Sequence, residues 1–237
     1  MLRVQKFLTE IGLLSRRKCE KLIDAKQIKI NGKYAKLGDK VKYDDVINVF
    51  GKEIRFTESI LSRKTLAIAY HKRIGEIVSR KSAKVTNTVF ENLPKIDHRW
   101  LNVGRLDVAT SGLILFTNNG FLANKLMHPS SEIKRVYLVE TSKIITNNHK
   151  NIMLDNVDIG NNETGKFSEI QECKNRRNKY KLSLYTGKNR EIRRVFSRLG
   201  YKIKSLKRIS YGSIVIDKIK LGCFRYLSDS ESKSILD

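Results

Sequence analysis

The sequence predicts an α+β fold: a small N-terminal helix-hairpin unit, then a larger unit on a mainly antiparallel mixed sheet with flanking helices. Three observations lead there. Strand-like and helix-like patterns mix along the chain without the regular period of βαβ units. The first stretch, to about residue 60, supplies two helices and a hairpin of its own. Finally, 40% of the 237 residues are hydrophobic, enough to bury a proper core and too many for a disordered polycation. The expected units are therefore 1–60 and 61–237.

The elements follow in order. Val4, Phe7, Leu8 and Ile11 recur at helical spacing, and Gly12 ends that helix. Ser15 is a good N-cap for a second helix that buries Cys19, Leu22 and Ile23. Ile28 and Ile30 alternate before Asn31-Gly32, the strongest short hairpin signal. "DVINVF" (45–50) gives another strand, and the polar "KEIRFTESILSRKT" (52–65) reads as a tether. "LAIAYH" (66–71) is a buried strand, and "TNTVFENLPK" (86–95) a short helix stopped at Pro94. "LILFT" (113–117) is a strand, "NNG" a turn, and "FLANKLMHP" (121–129) a helix ending at Pro129. "KRVYLVE", "YKLSLYT" and "SIVI" are further strands, while "NREIRRVFSRLG" (189–200) is a helix closed by Gly200.

Charge narrows the partner. Lys and Arg total 48 against 24 acids, a formal net charge of +24. Compositional drift would smear that charge, but it is clustered. Lys174 to Arg208 holds 14 Lys/Arg and one acid, Glu191, and residues 1–56 hold 14 Lys/Arg and seven acids. Such a field attracts polyanions, with nucleic acid ahead of anionic membrane. Arg190, Arg193, Arg194 and Arg198 share a helix with Ile192, Val195, Phe196 and Leu199; those apolar residues are what core packing alone requires, so the membrane reading is the weaker one. Arginine also favours fork-like contacts to phosphate.

Several chemistries drop out. Cys19, Cys173 and Cys223 are odd in number and far apart, and His71, His98, His128 and His149 are scattered, so neither disulfide framework nor metal site is suggested. No apolar run approaches a membrane span, and the N-terminus lacks a signal peptide's apolar core, so a cytoplasmic setting is expected. Neither phosphate-binding glycine loop nor G-x-S-x-G is present. What remains is chemistry without a cofactor, or no chemistry.

Asp107 is the sole acid between His98 and Ser131, and it stands two residues after Arg105. Read alone, it is a turn residue with a local side-chain hydrogen bond. Alternatively it is a nucleophile or base, since neighbouring guanidinium groups favour the carboxylate. A hydrolytic glycosidase needs a second carboxylate, and none is near in sequence, so rearrangement of a glycosidic bond fits better than hydrolysis.

"VQKFLTEIGLLSRRKCEKLIDAKQIKINGKYAKLGDKV" resembles the S4-type RNA-binding domain, which implies that Arg16, Arg17 and Lys18 on the second helix meet RNA. "GRLDVATSGLILFTNNGFLANKLMHPS" resembles the catalytic motif of bacterial pseudouridine synthases that modify ribosomal RNA, in the branch with an N-terminal S4 domain. "KRVYLVE" matches the tyrosine motif and "GKNREIRRVFSRLGYKIKSLKRISYGSI" the basic motif; the likeness covers essentially the whole chain and is greatest to the B-type synthases of the large ribosomal particle. The resemblance implies that a monomer without a cofactor or metal isomerises a uridine in 23S ribosomal RNA, free or within an assembling large subunit. It implies that Asp107 attacks or deprotonates the target ribose, that Tyr137 stacks on the flipped base, and that Arg193 orients Asp107. It further implies that Arg105 opens the stack or grips a phosphate, that Leu206 lines the uracil pocket, and that Arg190 and Arg194 bind RNA. The alternative is a non-catalytic ribosome-assembly factor of the same fold. Without the family, Tyr137 is a strand core residue and Arg193 one solvated cation among many. One departure stands out: the family reads Lys-Pro where this chain has Lys72-Arg73, so a looser loop is expected there.

Overall fold

The computed structural model describes residues 1–57, 64–80, 87–96, 99–174 and 176–235. They gather into one unit of Met1–Leu66, Lys95–Leu101 and Thr117–Ala123, and a second of Ala67–Pro94, Asn102–Phe116 and Asn124–Asp237. The middle of the expected tether (58–63), Thr86 of the expected helix, and His98 lie outside the described residues.

The first unit runs β1 (Leu2–Arg3), α1 (Val4–Glu10), α2 (Arg16–Asp24), β2 (Ile28–Ile30), β3 (Lys33–Tyr34), β4 (Lys40–Val41), β5 (Val46–Val49) and β6 (Lys52–Arg55). Ser15 caps α2 by accepting the Lys18 N–H at 3.3 Å, and Cys19, Leu22 and Ile23 face inward. Arg16, Arg17 and Lys18 are exposed. Asn31 (φ +48°) and Gly32 (φ +80°) turn β2 back along β3, the left-handed pair that a tight hairpin demands. The Asn31 amide also donates to Asp45 at 2.9 Å and its oxygen accepts the Val46 N–H at 2.8 Å, tying the turn to β5.

The tether reading is corrected at its start. Lys52–Arg55 is the edge strand of a sheet ordered β3-β2-β5-β6, and Phe56 is buried with its ring 4.4 Å from that of Phe7. Charged side chains are usual on edge strands because they discourage further pairing. They made this strand look like linker.

The rest of the chain runs β7 (Ala67–Lys72), a 3-10 turn at Val89–Asn92, β8 (Leu101–Val103), β9 (Ser111–Thr117), α3 (Gly120–Met127), β10 (Arg135–Thr141), α4 (Asn147–Leu154), β11 (Val157–Asp158), β12 (Thr164–Gly165), β13 (Glu169–Cys173), β14 (Arg176–Leu184), α5 (Glu191–Arg198), β15 (Ile203–Tyr211), β16 (Ile214–Val215), β17 (Phe224–Tyr226) and α6 (Asp229–Ser234). Among the described residues nine strands form one sheet, ordered β13-β14-β10-β15-β9-β7-β17, with β8 beside β9 and β16 beside β15. β10 pairs antiparallel with β14 and β15, whereas β15 runs parallel to β9. The sheet is thus mixed and largely antiparallel, and the α+β class holds. The expected helix at 86–95 is shorter than read: a 3-10 turn at whose start the Glu91 carboxylate accepts the Thr88 N–H at 3.2 Å and its hydroxyl at 3.1 Å. Strand β15 went unforeseen because its lysines look like a solvated basic tract.

The parallel contact brings Gly112 opposite Arg208. A Cβ at Gly112 would stand 2.2 Å from the Arg208 carbonyl oxygen, at φ +110°. Only glycine lets β9 pass that close to β15, and β9 carries the Asp107 loop at its start. Gly112→Ala is expected to cost about 2–3 kcal/mol in urea unfolding, as overpacking against backbone does. Gly104→Ala, with φ +71° and open space around it, should cost about 1 kcal/mol from backbone strain alone. Equal costs at the two positions would refute the close-approach argument.

Candidate active site

Asp107 lies in the loop between β8 and β9, where the Thr110 N–H donates to the Asp107 carbonyl at 2.9 Å and closes a turn. Two cations hold this loop by its oxygens. From the end of β7 the fully buried Lys72 ammonium donates to the carbonyls of Arg73 (2.9 Å), Asp107 (3.1 Å) and Thr110 (2.7 Å), with Val108 O at 3.4 Å. From α5, Arg193 Nη2 donates to Ala109 O at 2.8 Å and Thr110 Oγ1 at 3.1 Å.

That anchoring leaves Arg193 Nε facing Asp107 Oδ2 at 3.6 Å, and Arg190 Nη1 approaches the same oxygen at 3.6 Å. Both are ion-pair separations beyond ordinary hydrogen-bond length. Nε of Arg193 is buried with no hydrogen-bond partner among the described residues. The exposures assign different parts: the Asp107 side chain is 32% exposed, Arg193 17% and Arg190 54%. A partly open carboxylate is thus backed by one fixed cation and one freer one. Burial lowers Arg193 from the usual guanidinium value, while Asp107 pulls it back up.

Local sequence explains how α5 presents these arginines. Arg190 takes a left-handed conformation (φ +48°) just before the helix. Glu191 is buried, accepting Thr186 Oγ1 at 2.7 Å and the Lys188 N–H at 3.1 Å, which fixes the approach to the helix. Ile192, Val195 and Phe196 bury its inner face. Arg194, expected to bind RNA, is half-buried and spends its guanidinium on partners within the fold. It donates to Ile159 O (2.9 Å), Gly160 O (2.7 Å) and Asn189 O (3.2 Å) and pairs with Glu163, stapling α5 to the β11–β12 hairpin.

Tyr137 on β10 is opposite Arg208 on β15, and Leu206 is opposite Val139. All are buried. Arg208 donates from Nη1 to the Tyr137 phenol at 3.4 Å and from Nε to Leu113 O at 2.7 Å. It therefore links the tyrosine strand to β9 a few residues beyond Asp107. Arg105 is exposed, and Arg16, Arg17 and Lys18 belong to the other unit.

Sequence reasoning missed Lys72, Glu191 and Arg208 as supports. A signal existed for two of them. Lys72 closes a strand whose residues are all buried, and Arg208 alternates in phase with buried Leu206. The looser loop expected at Lys72-Arg73 is corrected as well. Buried Glu76 accepts the Arg73 N–H at 2.8 Å, the Arg73 guanidinium at 3.1 Å, the Tyr70 hydroxyl at 2.7 Å and the Asn92 amide at 3.1 Å. A proline at 73 could not donate that N–H; arginine and Glu76 replace its stiffness with hydrogen bonds.

The site is thus a loop carboxylate faced by two guanidinium groups at the start of a strand in a mixed sheet. Residues 67–198 match the family model for RNA pseudouridylate synthase, and residues 2–47 match the S4 domain. The chain belongs to the RNA pseudouridylate synthase family and is an RNA pseudouridine synthase carrying an S4 domain. It is 40% identical to the ribosomal large subunit pseudouridine synthase B of Buchnera aphidicola subsp. Acyrthosiphon pisum, over 97% of this chain and 94% of that one. With the Vibrio cholerae protein of the same name it shares 36% identity, over 91% of this chain and 68% of the other. A crystal structure described as pseudouridylate synthase shares the fold, with TM-score 0.70, 23% identity, and coverage of 99% of this chain and 100% of that one.

Burial pulls the Lys72 ammonium down to about 8, against the raising effects of Glu76 and Asp107. Between that value and the ordinary lysine range near ~10.4, the unfolded chain holds the extra proton, so this group makes stability rise with pH across the window. Lys72→Met should remove up to one proton from that slope, about 1.4 kcal/mol per pH unit at most. Unfolding titrations at pH 8 to about 10 check this, and an unchanged slope would contradict it. The same variant should lower activity on the order of a hundredfold, the usual cost of misplacing a reacting group by about 1 Å.

Proposed function

We propose that this chain converts a uridine of large-subunit ribosomal RNA to pseudouridine, without a cofactor and with Asp107 at the reacting sugar. The observation that carries the reading is the Asp107 carboxylate, partly open to solvent and faced by Arg193 and Arg190 at 3.6 Å each. Its loop is held from two sides, which suits a reacting group and is more than a turn acid needs. The names of the relatives from Buchnera aphidicola and Vibrio cholerae support the large-subunit substrate.

In this reading residues 1–60 grip RNA, through Arg16, Arg17 and Lys18 among others, and residues 61–237 carry the chemistry. The target uridine leaves its stack and its base rests on Tyr137, with Leu206 lining the pocket; a flipped base needs such a platform to replace lost stacking. As the N1–C1′ bond breaks, Asp107 serves the ribose and Arg193 keeps it oriented. The uracil turns, C5 bonds to C1′, the C5 proton leaves and N1 takes one up, so the product is an isomer and nothing external is consumed. Arg190 and Arg105 meet the RNA backbone. The protein acts as a cytoplasmic monomer on free RNA or an assembling ribosomal particle.

Asp107→Asn is expected to reduce conversion on the order of a thousandfold or more, the scale seen when a group central to the transition state is removed. Cells lacking the protein would be complemented with wild type or variant and their 23S RNA mapped for pseudouridine. Normal modification by the variant would overturn the reading. A wild type that binds the RNA yet converts no uridine would instead define a non-catalytic assembly factor.

A further inference from the structure

We infer that Ile74 and Val108, with Leu221 on an adjoining loop, form an apolar wedge that stacks on the bases flanking the everted uridine. The inference rests on the function proposed above and adds a binding surface to it. Val108 directly follows Asp107 and is 46% exposed; Ile74 is 62% and Leu221 54% exposed. Isolated exposed aliphatics are ordinary on a protein surface. These three are set apart by the backbone that carries them. The Gly75 N–H donates to Val108 O at 2.9 Å, and the Gly222 N–H to His71 O at 2.7 Å. The Arg73 guanidinium reaches Leu221 O at 3.5 Å.

Hydrogen bonds tie these loops down. Glu76 fixes Arg73, and Lys72 holds the carbonyls on either side of Val108. Apolar side chains on a fixed backbone lose little further entropy on contact, which favours their use in binding. Arg73, Arg105 and Arg190, all exposed, share these loops or face Asp107. An aliphatic centre among cations suits RNA, whose bases are apolar on their faces and whose phosphates lie outside them.

The geometry also meets a need of the reaction. Turning a nucleotide out of its stack leaves a gap and two uncovered neighbours, at a cost that apolar side chains inserted there reduce. Consecutive Cα atoms lie about 3.8 Å apart, close to the spacing of stacked bases. Val108 directly follows Asp107 and is exposed, so a base next to the everted uridine lies within its reach when the carboxylate addresses the sugar.

The test uses the full chain. An unmodified 23S transcript labelled with [5-³H]uridine reports conversion by tritium release, and the converted position is mapped with wild type. A short RNA carrying that uridine is then made with intact neighbours and with abasic residues at both flanks. For Ile74→Ser/Val108→Ser, with thermal unfolding matched to wild type, kcat/KM should fall at least about tenfold on the intact RNA. On the abasic RNA it should stay within about threefold of wild type, and Ile74→Leu/Val108→Ile should convert the intact RNA normally. Equal rates for wild type and the serine variant on intact RNA overturn the wedge. So does equal impairment on both RNAs, which would assign the surface to a protein partner or to loop packing. A wild type that converts no uridine in the transcript refutes the function itself and takes the wedge with it.

Discussion

Side-chain cations do for residues 107–110 what a strand ladder does for a sheet. Lys72 and Arg193 come from different elements and both donate to backbone oxygens of the same short loop. A buried ammonium is costly, and the depressed titration of Lys72 records that cost. The return is positional. A carboxylate on a freely moving loop would have to be ordered at each encounter, whereas one gripped through its own backbone is placed in advance. The close passage of β9 beside β15 at Gly112 supplies the other half of the constraint, because it sets where the loop begins.

Buried acids manage this cationic interior from a distance. Glu76 and Glu191 do not touch the Asp107 carboxylate; each instead closes a turn beside a cation that matters. Glu76 fixes the residues after Lys72 by accepting from Tyr70, Arg73 and Asn92. Glu191 shapes the approach to Arg190 and Arg193 by accepting from Thr186 and Lys188. On the sheet, Arg208 is accommodated by a carbonyl and a phenol and lies over the ring of Tyr211 at 5.1 Å. Hydrogen bonds and aromatic faces thus do much of the work that carboxylates would do elsewhere.

Much of this was legible in the residues and some was not, for identifiable reasons. The Ser15 cap, the Asn31-Gly32 turn and strands β7, β9, β10 and β14 follow from local rules that tertiary packing had no cause to override. Strand β6 was hidden by edge charges, and β15 by lysines alternating with inward residues, since a basic tract and a half-buried strand look alike until the period is counted. Asp107 could be singled out as the one acid in a long stretch. Its supports could not, because Lys72 is distant in sequence and its partners are backbone oxygens, which leave no side-chain signature. Arg194 reads like its neighbours Arg190 and Arg193, and only packing shows that its face of the helix meets the β11–β12 hairpin.

That hairpin changes how the formal charge of +24 should be understood. Arg194 pairs with Glu163 and donates to three carbonyls, so part of the densest basic segment is already committed within the fold. Only cations that meet phosphate directly release condensed ions from a nucleic acid. The ionic-strength sensitivity of RNA association is therefore set by fewer arginines than the helix displays. Arg194 acts as mortar for the scaffold that aims the others.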